Sequence, residues 1–116
     1  MKFKRVLLKI SGEALMGDKA YGISTDVIRF LSREIQALDN LGIELALVVG
    51  AGNIFRGVAG AASGMDRSSA DNMGMLGTVM NSLAVQDGLE SIGISAKVMS
   101  AITMLNVCEP YERLKE

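Results

Sequence analysis

The sequence predicts an α/β fold: parallel-sheet βαβ layers with helices on both faces. Three observations predict it. Leu45-Ala46-Leu47-Val48-Val49 is an unbroken apolar run that breaks at once into Gly50-Ala51-Gly52. A strand covered on both faces reads this way. A second run is centred on Val6-Leu7-Leu8, and a segment of helical apolar spacing lies between the two. Strand, helix, strand is a βαβ unit, whose crossover is right-handed by the general rule.

The first strand is predicted over Phe3 to Ile10, with Lys9 at its carboxyl end just before Ser11-Gly12. Gly12 to Gly22 reads as a mobile, glycine-rich loop, either an ordinary exposed connection or one that closes over a ligand. A helix follows from Ser24 to Leu41. Ser24 caps it, Asp26 favours its positive end, and Ile28, Leu31, Ile35 and Leu38 form its apolar face. Gly42 stops it in a Schellman-type turn with Ile43 as the apolar contact. The second strand runs from Ile43 to Val49.

Val58 to Ser69 is a small-residue loop. A second helix is predicted from Ala70 to about Ile92. Met73, Leu76, Met80 and Leu83 line one face of it as an adaptable core or subunit interface. Gly74 and Gly77 lie near that face, where they permit close approach of backbone or ligand. Gly93-Ile94 repeats the helix stop, and Ile94 to Met99 is predicted as a third strand. Pro110 favours a helix start at Tyr111.

Composition removes several function classes. A chain of 116 residues suits one domain with a buried core. No apolar run approaches the roughly 18 residues of a membrane span, so no membrane partner is expected. The basic start, Met1 to Arg5, leads into a run interrupted by Lys9 and does not resemble a secretory signal. Cys108 is the one cysteine, so no internal disulfide forms, which fits a reducing cytoplasm. There is no histidine, so the usual general base and commonest metal ligand are missing, and no metal-binding residue is assigned. A net charge of −1 and 4% aromatics give no reason to expect nucleic acid.

What remains points to phosphate. Lys9 ends one strand, a glycine turn ends the next, and Arg56 follows. Ligands of open α/β sheets bind off the carboxyl ends of strands. Free backbone N–H groups in a glycine turn form an anion-binding concavity, and Lys and Arg add charge and donors. Phosphoryl transfer needs mainly positioning and neutralisation of charge. Each residue read alone keeps a plainer alternative. Lys9 fits equally a lysine whose head reaches water. Asp71, in the first turn, fits stabilisation of a helix start. The P-loop and dinucleotide fingerprints are absent.

Three stretches together carry a family resemblance. Lys9-Ile10-Ser11-Gly12-Glu13-Ala14-Leu15, Gly50 to Gly57, and Asp71-Asn72-Met73-Gly74-Met75-Leu76-Gly77-Thr78-Val79-Met80-Asn81 resemble the bacterial UMP kinases of the amino acid kinase superfamily. The resemblance runs from the first strand to the Cys108 region. It implies transfer of the ATP γ-phosphate to UMP with Mg²⁺, in the cytoplasm, by a homohexamer regulated by GTP and UTP. It also implies that residues 1–116 are the N-terminal, UMP-binding side of an amino acid kinase domain, incomplete at the C-terminus and inactive alone. Carried over by position, Lys9, Ile10, Ser11 and Gly12 contact ATP phosphates, with Lys9 stabilising the transition state. Gly52 and Arg56 hold phosphates between donor and acceptor, with Arg56 the second catalytic group. Ala51 approaches UMP and Asp71 holds its ribose. Gly17, Asp18, Lys19, Ala20, Tyr21 and Gly22 correspond to the segment tied to GTP. The chain departs from the family at Ala51, where relatives often carry glycine, and at Gln86 and Glu90, where some carry basic groups. The alternatives are a sister kinase acting on carbamate or an amino acid, and a stand-alone nucleotide-binding or assembly module.

Overall fold

The computed structural model describes residues 4–55, 63–101 and 108–111. Strand β1 (Arg5–Ile10) and strand β2 (Glu44–Val49) pair in parallel, from Arg5 opposite Glu44 to Ile10 opposite Val49. Helix α1 (Thr25–Asn40) connects them and completes the expected βαβ unit. Its boundaries follow its caps. Ser24 Oγ accepts from Val27 N at 3.3 Å, and Gly42, at φ 80°, lets Ile43 N reach back to Leu38 O at 3.3 Å. This is the predicted Schellman stop.

A 3₁₀ turn (Gly12–Leu15) directly follows β1, capped by Ser11 Oγ accepting from Ala14 N. It inserts Leu15 into the core, and Leu15 O accepts from Ser24 N at 2.7 Å. The stretch expected as an open connection is therefore, in its first part, a built turn.

Helix α2 (Arg67–Glu90) begins three residues before the expected Ala70. Asp66 explains the difference: its carboxylate accepts from Ser69 N at 3.2 Å and recruits Arg67, Ser68 and Ser69 into the first turn. Of the α2 face expected as core or subunit interface, Leu83 packs against Val79, Val98 and Cys108. Ala70, Gly77, Asn81, Val85 and Leu89 point inward, whereas Met73, Leu76 and Met80 are exposed. Gly88 sits where a Cβ would strike Ile28 Cγ2 and approach Ser32 Oγ at 2.7 Å, so α2 crosses α1 closely at that point.

The core joins Leu15, Ile28, Ile35, Val49, Val85 and Leu89, with Ile10, Leu45 and Leu47 packed against it. The period-two alternation of the strands sends these residues to one face. Both described helices cover that face. The opposite face of the pair carries Arg5, Leu7, Lys9, Ala46 and Val48, all exposed.

The third strand is shorter than expected. Only Met99–Ser100 (β3) forms a ladder, parallel to Glu109–Pro110 (β4). Ile94 to Val98 have no ladder, because an open cavity of about 780 Å³ separates this stretch from the free edge of β2. Gln86 Nε2 instead donates to Ala96 O at 2.8 Å. Pro110 stands in a short strand, and Tyr111 N donates to Ser100 O at 2.8 Å. The helix expected after Tyr111 lies outside the described residues.

Candidate active site

The carboxyl ends of β1 and β2 turn into each other. Gly50 N donates to Ile10 O at 2.9 Å, which extends the parallel pairing by one residue into the turn. Gly12 then lies against the second turn so closely that a Cβ there would strike Gly52 N, lie 2.5 Å from Asn53 Oδ1 and 2.8 Å from the Ala51 carbonyl carbon. Only glycine permits this approach of two backbones. Among the described residues, the N–H groups of Gly12 and Gly52 donate to no protein acceptor. Donors of this kind at one strand edge are what an anion-binding concavity is built from, and the Glu13 carboxylate lies over the Gly52 side of this edge.

The structure brings Lys9, Ile10, Ser11 and Gly12 together with Ala51 and Gly52. Lys9 lies on the open face of the pair and forms no ion pair among the described residues. Its ammonium is thus available to a ligand near the turn as a point charge. Ser11 is occupied in part by its capping bond to Ala14 N. The glycine-to-alanine departure at position 51 is accommodated. No described non-glycine residue has a positive φ. The Ala51 methyl packs against Gly77 of α2, where a second Cβ would come to 2.9 Å. Gly77 thus has the close-packing role expected of it. At Gly74 no described backbone comes close: a Cβ there would meet nothing within 4 Å.

Asp71 is not in the first turn, as expected, but one turn further in. Its carboxylate accepts from Arg67 Nε at 3.0 Å in an exposed i,i+4 pair. It shares α2 with Gly77, roughly 9 Å along the helix axis, and has no described contact with the glycine turn. The Gly17 to Gly22 stretch leaves Asp18, Lys19, Ala20 and Tyr21 exposed. It reaches the site only at Gly22, whose N–H donates to Asn53 O at 2.9 Å. Arg56 lies outside the described residues.

Three residues at the site were not singled out from the sequence. Glu13 places a carboxylate oxygen where a Gly52 Cβ would be, so it lies directly over the turn. Asn53 and Asn81 form a buried amide pair behind it. Asn81 Nδ2 donates to Gly50 O and to Asn53 Oδ1, both at 2.7 Å. Asn53 Nδ2 donates to Gly22 O at 2.9 Å and to Asn81 Oδ1 at 3.0 Å. The available signal was spacing: Asn81 falls on the Gly77, Val85, Leu89 stripe and is the one polar side chain on it.

The amino acid kinase family profile matches residues 4–115. The chain belongs to the amino acid kinase family. Its curated relatives are more specific. It is 60% identical over 111 residues, 96% of its length, to a protein of Cereibacter sphaeroides named uridylate kinase. It is 54% identical over 112 residues to another of that name from Paramagnetospirillum magneticum. Among solved structures it resembles the UMP kinases of Bacillus anthracis (TM-score 0.90, 40% identity) and Ureaplasma parvum (TM-score 0.89, 31% identity), each over 99% of this chain. It spans 45% and 47% of the two curated relatives and 48% of each solved chain. This amino acid kinase family chain therefore corresponds to somewhat less than half of each relative. No described helix is long and apolar enough to cross a membrane.

Proposed function

We propose that this chain is the acceptor-side part of a UMP kinase, which transfers the γ-phosphate of ATP to UMP and yields UDP and ADP. One observation carries the reading: the Gly12 and Gly52 turns touch at the carboxyl edge of the parallel pair with N–H groups that have no described acceptor, and the exposed Lys9 is the last residue but one of β1. Identity to proteins named uridylate kinase supports UMP as the acceptor over carbamate, aspartate or glutamate.

Each role follows from charge and geometry. The transferred phosphoryl group spreads negative charge over its equatorial oxygens, so catalysis is chiefly positioning and neutralisation. Gly12 and Gly52 offer N–H donors to phosphate oxygens, and Lys9 neutralises charge as it develops. Ile10 and Ser11 set the backbone of that turn beside ATP, and Arg56 bridges donor and acceptor phosphates. Ala51 lets the turn approach UMP, and Asp71 accepts from its ribose hydroxyls after release from Arg67. Among the described residues no three His, Cys, Asp or Glu side chains are grouped to hold a metal. Mg²⁺ enters with the nucleotide, as it commonly does when it is held through substrate phosphates. The exposed Met73, Leu76 and Met80 support assembly into a homo-oligomer, a hexamer on this reading. GTP acts as an effector through the Gly17 to Gly22 segment, UTP is a second effector, and the reaction takes place in the cytoplasm.

The test is ADP release by the full-length gene product, with ATP as donor and UMP, carbamate, aspartate or glutamate as acceptor. Release dependent on UMP supports the reading. Release dependent on one of the others, with none on UMP, overturns it.

A further inference from the structure

The Asn53–Asn81 pair is the most completely satisfied polar unit at the site, and neither side chain faces a ligand. Asn81 is 0% exposed and Asn53 2%. All four of their amide N–H bonds donate: two from Asn81 to Gly50 O and Asn53 Oδ1, two from Asn53 to Gly22 O and Asn81 Oδ1. The orientation of each amide is forced. Rotating Asn81 would set its oxygen against the Gly50 carbonyl, and rotating Asn53 would set its oxygen against the Gly22 carbonyl. Asn53 Oδ1 also abuts the space beside Gly12. Four segments therefore meet at one pair: α2, the turn after β2, the turn after β1 and the Gly22 segment.

The polarity of this unit serves geometry. The buried stripe of α2 needs a side chain between Gly77 and Val85, and an aliphatic one would fill it. An aliphatic side chain would leave the Gly50 carbonyl without its donor, and the turn would then lose what fixes its rotation. Rotation of the Gly50 peptide changes where the Gly52 N–H points. We propose that Asn53 and Asn81 are positioning residues: they fix the Gly50 and Gly22 carbonyls so that the Gly52 N–H faces phosphate and the Gly22 segment moves with the turn as one body. This rests on the phosphoryl-transfer reading for its catalytic consequence and not for its structural one.

The experiment compares Asn81→Asp with Ser32→Ala in the full-length gene product. Asp at position 81 keeps the shape and, when ionised, loses both donors. Ser32 is equally buried, and its hydroxyl donates to Ile28 O at 2.7 Å within α1, with no described contact with the glycine turns. Both variants are assayed at a temperature where each is folded. Asn81→Asp lowers kcat for ADP release about 10- to 100-fold while KM for UMP moves less than about threefold, and Ser32→Ala leaves kcat within about twofold. Should Asn81→Asp not fold, Asn81→Ser, which keeps one donor, replaces it. A second arm measures amide hydrogen exchange. The Gly50, Ile54 and Gly22 amides, which donate to Ile10 O, Ala51 O and Asn53 O, speed up together, at least about tenfold, while the centre of β1 and β2 is unchanged. Equal kcat loss in Asn81→Asp and Ser32→Ala overturns the proposal, as does exchange that rises uniformly or at only one of the two segments. A wild-type protein that turns over no acceptor defeats the phosphoryl-transfer reading alone, and the exchange arm then decides this one.

Discussion

Gly12→Ala is a direct perturbation of the two-turn arrangement. The added methyl would strike Gly52 N, lie 2.5 Å from Asn53 Oδ1 and 2.8 Å from the Ala51 carbonyl carbon. Carbon sits about 3.5 Å from such atoms at rest, so the turns must part by roughly 1 Å. Nothing there yields cheaply: two of the atoms are backbone, and the Asn53 amide is held by its hydrogen bonds. Gly12 has no positive φ, so the cost is steric and not conformational. Overpacking of this kind costs about 1–3 kcal/mol, and a weakened Asn53–Asn81 pair adds about 1 kcal/mol. Urea unfolding of the full-length gene product should therefore show a loss of about 2–4 kcal/mol. A displacement of roughly 1 Å at a positioning element lowers turnover about 100-fold, read by steady-state ADP release. Gly74→Ala is the control. With open space around it and an ordinary helical backbone, it should gain about 0.5–1 kcal/mol and leave turnover unchanged. Gly12→Ala with unchanged unfolding free energy and turnover would refute the close packing of the two turns.

Three further outcomes are expected. Lys9→Ala should lower turnover by orders of magnitude while the thermal midpoint stays put, because the side chain is exposed and holds no described ion pair; near-normal turnover removes its catalytic role. Leu15→Ala should cost about 2–5 kcal/mol in urea unfolding, since its side chain fills the core from the 3₁₀ turn, and a loss below about 1 kcal/mol would contradict that burial. Ser24→Ala removes the acceptor for Val27 N and should cost about 1 kcal/mol by the same measurement, whereas Arg5→Ala, which breaks only an exposed pair with Glu44, should cost less than about 0.5 kcal/mol.

The elements set by local rules were legible in the sequence. β1, α1, β2 and both glycine stops follow from apolar spacing, one capping serine and two left-handed glycines, each readable within a few residues. The meeting of the two glycine turns at one sheet edge was legible too, because Ser11-Gly12 and Gly50-Ala51-Gly52 each follow a strand of one parallel pair. What was misread depends on distant partners. Apolar bulk on α2 suggested the Met73, Leu76, Met80 face as core or subunit interface, yet within this chain the helix turns Gly77 and Asn81 inward, where Gly77 admits the Ala51 methyl and Asn81 reaches the Gly50 carbonyl. Ile94 to Val98 have the pattern of a strand, but a ladder also needs a neighbour within hydrogen-bonding reach, and the edge of β2 stands across a cavity. Asn53 and Asn81 drew no attention because an asparagine in a turn and one in a helix are each ordinary; only their meeting across 28 positions gives them meaning.

The placement of Lys9 completes the argument about the site. Alternation along β1 puts Val6, Leu8 and Ile10 on the face covered by α1 and α2, and Arg5, Leu7 and Lys9 on the other. The Gly12 and Gly52 turns are braced from the helical side, through Ala51 on Gly77 and the amide pair. A phosphate at those turns is therefore approached from two sides that differ in kind: a packed wall on the α2 side, and an open sheet face on the Lys9 side where Leu7 is 62% and Val48 50% exposed. Groups on α2 can read an acceptor lodged against the wall.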